Sequence, residues 1–523
     1  MLCPSRFCPL AAVSTEYVLV ESMLICVTVF ISARPTDLIS GHLSRLKQDM
    51  EVLGLHHRIV VPHYNSFQVQ EREALAPGIE VIDVSAVELG SANPIEFREY
   101  LRFLRGRPES QLVLSRLMKM LNRRDFTGTY RELERESTVF EAAIRTLHLL
   151  FSEHPAAVVF LSTPHMFGEY LLFECAKFLG IKTLFFQSVP IAPLMLPHSD
   201  FGQPRKPVAG MTESSPVCEE IRNLAVQRID AMLGGSPPPY ITRQDSLAAR
   251  ARRWRGRLRA VLSLASWLRT PRFESAIDFS GMGSQTSLWK NFLKVYLNWE
   301  ISRELKIRAD RLPRDVDASK FALFALHYEP EKTSLPDGLP VEFQLEAVLK
   351  AREILPVDIV LAVKEHSSQV SPSLRGYLGR STSFYEIVQS LPNTVMVSPF
   401  VEAKSLFPRV SHVFTLTGTI ALEAAAAGIP VGYFGSPWWQ GLPGTHRLSF
   451  ESDWIDLVAM ETSGPEKVRS FLEHLFVSGC IPGIAGEDPT DYVARNGPVS
   501  PELLNDMSVS IAQEINSLVR ENA

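Results

Sequence analysis

The chain has 523 residues, more than one compact core usually holds, so at least two domains are expected. Hydrophobic residues make up 46% and charged residues 21%, which excludes a disordered or fibrous chain. The net charge is −5, from 53 basic and 58 acidic residues, so no global field points to nucleic acid. None of the six cysteines (Cys3, Cys8, Cys26, Cys175, Cys218, Cys480) falls in a C-x-x-C pair. Zinc and thioredoxin-like chemistry therefore lack support, and a large cysteine-poor chain suits a reducing cytosol.

Residues 1–22 read as an N-terminal extension, with Met23 an alternative start. The apolar run from Met23 to Ala33 is about half the length a bilayer needs, and Glu16 and Glu21 precede it where a signal would carry positive charge. Its β-branched content predicts a buried strand at Leu24–Ile31. A helix over Leu38–Leu53, strands at His57–Pro62 and Gly78–Val84, and a charged helical stretch from Pro94 to Glu153 follow. Then come a strand at Ala157–Leu161, a helix over Tyr170–Leu179 stopped by Gly180, and a strand at Lys182–Phe186. This β-α-β rhythm predicts a parallel sheet covered by helices, one Rossmann-like domain over residues 23–205.

Residues 206–315 read as a linker and helical insertion. Within it the segment Ala248–Arg269 interleaves Arg250, Arg252, Arg253, Arg255, Arg257, Arg259 and Arg269 with Trp254, Leu258, Leu262 and Trp267. Such a helix either lies on an anionic membrane surface or packs its Trp/Leu side against the protein. A second α/β domain is expected over 316–478. Its strands are Lys320–Leu326, Ile359–Val363, Thr394–Val397, Val413–Leu416 and Val431–Phe434. Helices are expected at Val341–Ile354, Tyr377–Ser390, Val401–Phe407 and Ile420–Ala427 between them. Residues 479–523 form a tail whose helix, Pro501–Val519, leans back across the domain junction. No transmembrane helix is found.

Three polar clusters fall just after strands of the second domain. In Thr415–Gly428 a strand ends at Leu416, Thr417-Gly418-Thr419 makes a tight turn, and a helix begins at once. Backbone N–H groups and the helix dipole there suit a phosphate, and Gly418 would admit a close ligand approach. Glu423, one turn on, would accept ribose hydroxyls. The competing reading is a capped helix start with a solvated Glu423. The second cluster holds His327, Glu329, Glu331 and Lys332. The third holds Lys364, Glu365 and His366, where Lys364 and His366 would donate to phosphate or sugar oxygens. Each loop alone would equally be solvent-facing. No two of the His and Glu residues here have metal-ligand spacing on a helix face, and no G-x-S-x-G or Walker A pattern occurs.

The run FALFALHYEPEKT, the helix with Gln344, then LAVKEH, PNTVMVSP and TLTGTIALEAAAAGIPVGYFG resembles the capsule polysaccharide biosynthesis family, which includes bacterial Kdo transferases. It is similar, more distantly, to the CDP-glycerol polymerases. The resemblance spans Lys320–Gly435. It implies a GT-B fold of two Rossmann-like domains whose sheets face a central cleft, and a donor nucleotide sugar held by the C-terminal domain. The implied donor-binding residues are His327, Glu329, Lys332, Lys364, His366, Thr417, Gly418, Thr419 and Glu423. The family usually carries proline directly after the His of its Lys-x-His loop. Here Ser367 follows His366, which alters the loop's rigidity and leaves the donor open. A looser match around Pro164–Tyr170 makes His165 and Glu169 the candidates for a general base or acceptor contact, with a purely structural role as the alternative.

The expected activity is transfer of a sugar from a nucleotide-activated donor to a capsule-like cell-surface polysaccharide or its lipid-linked precursor. No cofactor and no metal is expected beyond the nucleotide-sugar co-substrate. The expected partners are that donor and a glycan or glycolipid acceptor, with no nucleic acid. The location would be cytoplasmic, peripheral on the inner face of the plasma membrane if residues 248–269 meet it. Two rivals use the same architecture: a sugar-nucleotide epimerase and a non-catalytic glycan-binding or assembly subunit.

Overall fold

In the computed structural model the described residues are 27–32, 40–53, 57–63, 79–84, 87–90, 92–106, 108–124, 132–189, 193–208, 216–233, 301, 303–370, 376–459, 461–484 and 501–521. The basic segment 248–269 and the extension 1–22 lie outside them. Strands β1 (Val27–Ser32), β2 (His57–His63), β3 (Ile79–Asp83), β4 (Ala157–Phe160) and β5 (Lys182–Val189) run parallel in the order β3-β2-β1-β4-β5. β6 (Leu194–Asp200) and β7 (Gln203–Pro204) extend this sheet antiparallel. The second sheet contains β8 (Phe321–Ala325), β9 (Val360–Lys364), β10 (Thr394–Val397), β11 (Val410–Thr415), β12 (Val431–Tyr433) and β13 (Thr445–Arg447). It is parallel throughout, in the order β10-β9-β8-β11-β12-β13. Counted from its own first strand, each sheet has the order of a doubly wound Rossmann domain. The α/β architecture with two such sheets is the one the sequence predicts.

The strands read as continuous apolar runs because helices cover both faces. Along β8, Phe321, Ala322, Leu323 and Phe324 are fully buried. One face of the first sheet is covered by α2 (Pro94–Arg105), α3 (Pro108–Arg124), α4 (Glu132–Glu153) and α5 (Phe167–Phe178), which share a core with Phe30, Val60, Phe160 and Phe185. Asn93 starts α2, its side chain accepting from the N–H groups of Ile95 and Glu96. Gly180, at φ +74°, follows the end of α5, where only glycine is unstrained. The opposite face carries α1 (Ser40–Val52) and a helix from the far end of the chain.

Helix α6 (Pro216–Leu233) packs on the second domain through Ile221, Ala225 and Ile229. The second sheet is sandwiched between α7 (Gln344–Ile354) with α8 (Thr382–Ser390) and, on the other face, α6, α9 (Ile420–Ala426) and α10 (Pro465–His474). Thus α6, together with Leu305 and Leu312, packs as part of the second domain.

The C-terminal segment is more than a tail. β14 (Ile481–Pro482) pairs antiparallel with β6, and α11 (Pro501–Arg520) lays Ile511, Ala512, Ile515 and Leu518 against Val29, Val159, Leu184 and Phe186. β14 and α11 therefore complete the first domain. Ile515 is fully buried there, so Ile515→Ala is expected to destabilise that domain by about 2–4 kcal/mol. Chemical denaturation followed by circular dichroism measures it, and an unchanged midpoint would show that α11 is only loosely attached.

The two domains meet along the carboxyl edges of their sheets. Lys332, after β8, reaches Ser188 on β5 (Nζ to Oγ 3.4 Å), and Gln187 Nε2 donates to the Ser436 carbonyl at 3.2 Å. On the flank, Arg116 and Lys119 of α3 both pair with Glu342, at 2.8 and 3.1 Å. Val189 and Leu196 of the first sheet join the same buried cluster as Trp439 of the second domain.

Candidate functional site

The three polar loops after β8, β9 and β11 come together at one edge of the second sheet. His327, buried, ties the first to the third. Its Nε2 accepts the Thr417 N–H at 3.1 Å and lies 3.2 Å from Thr415 Oγ1. Gln344 grips the same residue from behind, accepting its N–H at 2.7 Å and donating to its carbonyl at 3.1 Å. Burial first, then the charges of His366 and Arg380, push the His327 pKa down to about 3. This imidazole is thus a neutral acceptor within the protein, and the expected donor-binding residue is engaged in holding two loops together.

The turn Thr417-Gly418-Thr419 also differs from expectation. The Thr417 N–H is used by His327, the Gly418 N–H by Thr415 Oγ1 at 3.2 Å, and the Thr417 hydroxyl by the Thr333 carbonyl at 2.9 Å. Thr419 makes no side-chain cap. Among the described residues, the backbone N–H groups of Thr419 and Ile420 remain for a ligand. A Cβ on Gly418 would meet Thr415 Oγ1 at 2.6 Å. The glycine is required by this internal packing, whereas the sequence suggested ligand approach. Glu423 faces Lys404 (3.6 Å), whose ammonium also donates to the Met232 carbonyl at 3.2 Å. Burial raises the Glu423 pKa.

The β9 loop carries the clearest donor groups. Burial lowers the Lys364 pKa, and its Nζ donates only to the Glu365 carbonyl, at 3.2 Å, among the described residues. His366 Nδ1 accepts the Ser368 N–H at 3.1 Å, which fixes the tautomer with the proton on Nε2. Burial pushes its pKa down to about 4. His366 is therefore a neutral Nε2–H donor. Ser367 opens a short 3-10 turn over Ser367–Val370.

Glu329 and Glu365 belong to a buried ionic cluster that the sequence reading missed. Arg380, with no exposed side chain, donates from Nε to Glu365 Oε2 at 3.0 Å and from Nη1 to Glu329 Oε2. Nη2 reaches the His327 carbonyl at 3.1 Å. Tyr385 donates to the same Glu365 oxygen at 2.8 Å, and Glu365 Oε1 accepts the His366 N–H at 2.7 Å. Gln369 braces Glu329 through its N–H and carbonyl, both at 2.9 Å.

Across the junction, His165 and Glu169 sit at the start of α5. The Glu169 carboxylate accepts the N–H groups of His165 (3.3 Å) and Met166 (3.2 Å), the contacts of a helix cap. His165 Nδ1 donates to the Thr163 carbonyl at 2.8 Å, which makes Nε2 the basic nitrogen of the ring. Among the described residues no group of three His, Cys, Asp or Glu side chains is arranged to hold a metal, and no helix is long and apolar enough to cross a membrane.

The buried neutral histidines set a pH dependence. His198, stacked on Phe185 with centroids 5.1 Å apart, is likewise pushed down to about 4 by burial. For His198, His327 and His366 the unfolded chain binds protons below about pH 6.5 that the folded chain refuses. Stability is therefore full above that pH and falls as pH drops toward 4, by up to about 1.4 kcal/mol per pH unit for each histidine. Denaturation midpoints at pH 5 and 7.5 should differ in this direction, and His198→Phe should narrow the gap. A gap unchanged in the variant would remove His198 from this account.

No family model and no curated protein sequence matches the chain. Among solved structures, the UDP-GlcNAc 2-epimerase from Methanocaldococcus jannaschii is similar at 11% identity, over 90% of this chain and 99% of that one, with a TM-score of 0.21. KpsC of Thermosulfurimonas dismutans, a beta Kdo 2,7 transferase, is similar at 11% identity over 70% and 88%, TM-score 0.26. The glycosyltransferase SnogD from Streptomyces nogalater is similar at 13% identity over 95% and 100%, TM-score 0.19. At such scores these likenesses carry no argument, and the fold rests on the strand order and packing above.

Proposed function

We propose that this protein is a glycosyltransferase that moves a sugar from a nucleotide-activated donor to a capsule-like cell-surface polysaccharide or its lipid-linked precursor. The observation that carries this reading is the convergence of Lys364, His366 and the Thr419 turn at the carboxyl edge of the second sheet, opposite the carboxyl edge of the first. Ligands of doubly wound sheets bind at that edge. Here Lys364 supplies positive charge and His366 an Nε2–H donor to the departing phosphate, preorganised before the bond breaks. The acceptor hydroxyl lies on the side of the first domain, where His165 Nε2 takes its proton. Holding both substrates across one junction supplies the orientation that transfer requires. The reading places the protein in the cytoplasm.

A thermal-shift screen against CMP, CDP, UDP, GDP and their sugar conjugates tests this. One nucleotide should stabilise the protein, by about 2.7 kcal/mol at a hundred times its Kd, and the effect should vanish in His366→Ala. Sugar-nucleotide turnover without acceptor would turn the reading to an epimerase. A folded protein that no nucleotide stabilises would turn it to a non-catalytic subunit.

A further inference from the structure

We propose that Arg380 is a positioning residue, which locks the loops after β8 and β9 to each other and thereby holds His366 as an Nε2–H donor. The proposal rests on the nucleotide-sugar reading for its purpose, though not for its geometry.

The loops leave neighbouring strands, and beyond the bond from the Leu326 N–H to the Lys364 carbonyl, at 3.0 Å, no backbone hydrogen bond joins them among the described residues. Side chains must do it. Gln344 fastens the β8 loop through His327, and Gln369, in the β9 loop, bonds the backbone of Glu329 across the gap. Arg380 reaches both loops at once: Glu329 and the His327 carbonyl in one, Glu365 in the other. The planar guanidinium has donors spread over a fork wide enough for two carboxylates and a carbonyl, which a lysine ammonium does not. The ring of Phe384, 4.4 Å from the guanidinium carbon, keeps the fork in plane. A Cβ on Gly379 would lie 2.3 Å from Glu329 Cβ, so the residue before Arg380 is also shaped to this contact.

The lock is transmitted to His366 in two short steps. Glu365 Oε2 is fixed by Arg380 and Tyr385, and its other oxygen accepts the His366 N–H at 2.7 Å. With the backbone of 365–368 so held, the Ser368 N–H points at Nδ1, and the imidazole proton must sit on Nε2. Buried ionic clusters are commonly no more stabilising than an apolar core of the same size. A Glu-Arg-Glu group at the sheet edge, with Arg380 and Glu365 fully buried, is better accounted for by the arrangement it fixes.

The test uses the full chain with histidine side chains labelled in 15N. In the unaltered protein the His366 signals, assigned by His366→Gln, should show a single Nε2–H tautomer. In Arg380→Lys, which keeps the charge and loses the fork, they should show a tautomer mixture. Affinity for the nucleotide that stabilises the unaltered protein should fall at least tenfold, with circular dichroism unchanged. If Arg380→Lys does not fold, Glu329→Gln is measured in its place and should shift in the same direction. A folded variant that retains the single tautomer overturns the proposal. If no nucleotide binds the unaltered protein, the functional reading fails, while the tautomer, read without ligand, still decides the role of Arg380.

Discussion

Replacing Lys364 by alanine is expected to lower kcat by roughly 10²–10³-fold, the loss typical of removing one preorganised electrostatic group from a transition state. The melting temperature should hardly move. Lys364 ends β9, and its ammonium donates to one carbonyl, that of Glu365, at 3.2 Å. Removing it leaves a single acceptor to rehydrate at the edge of the sheet. The ammonium is costly to keep where it is, since burial lowers its pKa. A charge held against that cost is best explained by an anion it meets during turnover. Steady-state kinetics with the donor found by the nucleotide screen, together with a melting curve, checks this. A folded variant with undiminished kcat removes Lys364 from the mechanism, and a large drop in melting temperature makes it a structural group.

The reverse pattern is expected at its neighbour. Glu365→Ala should destabilise the second domain by about 3–5 kcal/mol, because deleting one member of a buried ion pair leaves the others uncompensated. Of its two carboxylate partners Arg380 would keep Glu329, while the Tyr385 hydroxyl and the His366 N–H would lose their acceptors. Glu365→Gln, which retains acceptor oxygen, should cost less. Urea denaturation read by tryptophan fluorescence checks this, with Trp438, Trp439 and Trp454 as reporters in the second domain. Equal midpoints for Glu365→Ala and the parent would show that the cluster contributes nothing to stability.

These two neighbours illustrate what the sequence could disclose. Lys364 and His366 were legible because they follow an apolar run, and a polar group just past a buried parallel strand falls at the ligand edge. The same logic located His327 and the Thr417 turn. It gave position and not partner, so the turn was read as open to a phosphate although two of its N–H groups serve His327 and Thr415. Arg380 was invisible for the same reason. Its carboxylate partners lie 15 and 51 residues away, a separation with no periodicity to betray it. Boundaries moved where local chemistry interrupts a helix. The helix expected from Tyr377 begins at Thr382, after the turn of Gly376 and Gly379, and the one expected from Val341 begins at Gln344. β6, with Pro197 inside it, pairs with β5 just before it although proline interrupts its pattern, and the two-residue β14 exists through pairing with the distant β6 and leaves little local trace.

The return of α11 and β14 to the first sheet bears on how the chain is made. At the ribosome, β1 to β5 emerge first with α1, yet the cover over Val159, Leu184 and Phe186 is completed by Met507, Ile511, Ala512, Ile515 and Leu518, which are made last. At about 5–20 residues per second, the intervening stretch from β5 to α11 takes on the order of half a minute to synthesise. During that interval the first domain exposes an apolar sheet face, while the second, whose sheet is contiguous in sequence, has all it needs to fold. The second half of the chain is thus positioned to fold before the first is complete. A nascent chain arrested before residue 501 should be bound by chaperones through that uncovered face and released once α11 emerges.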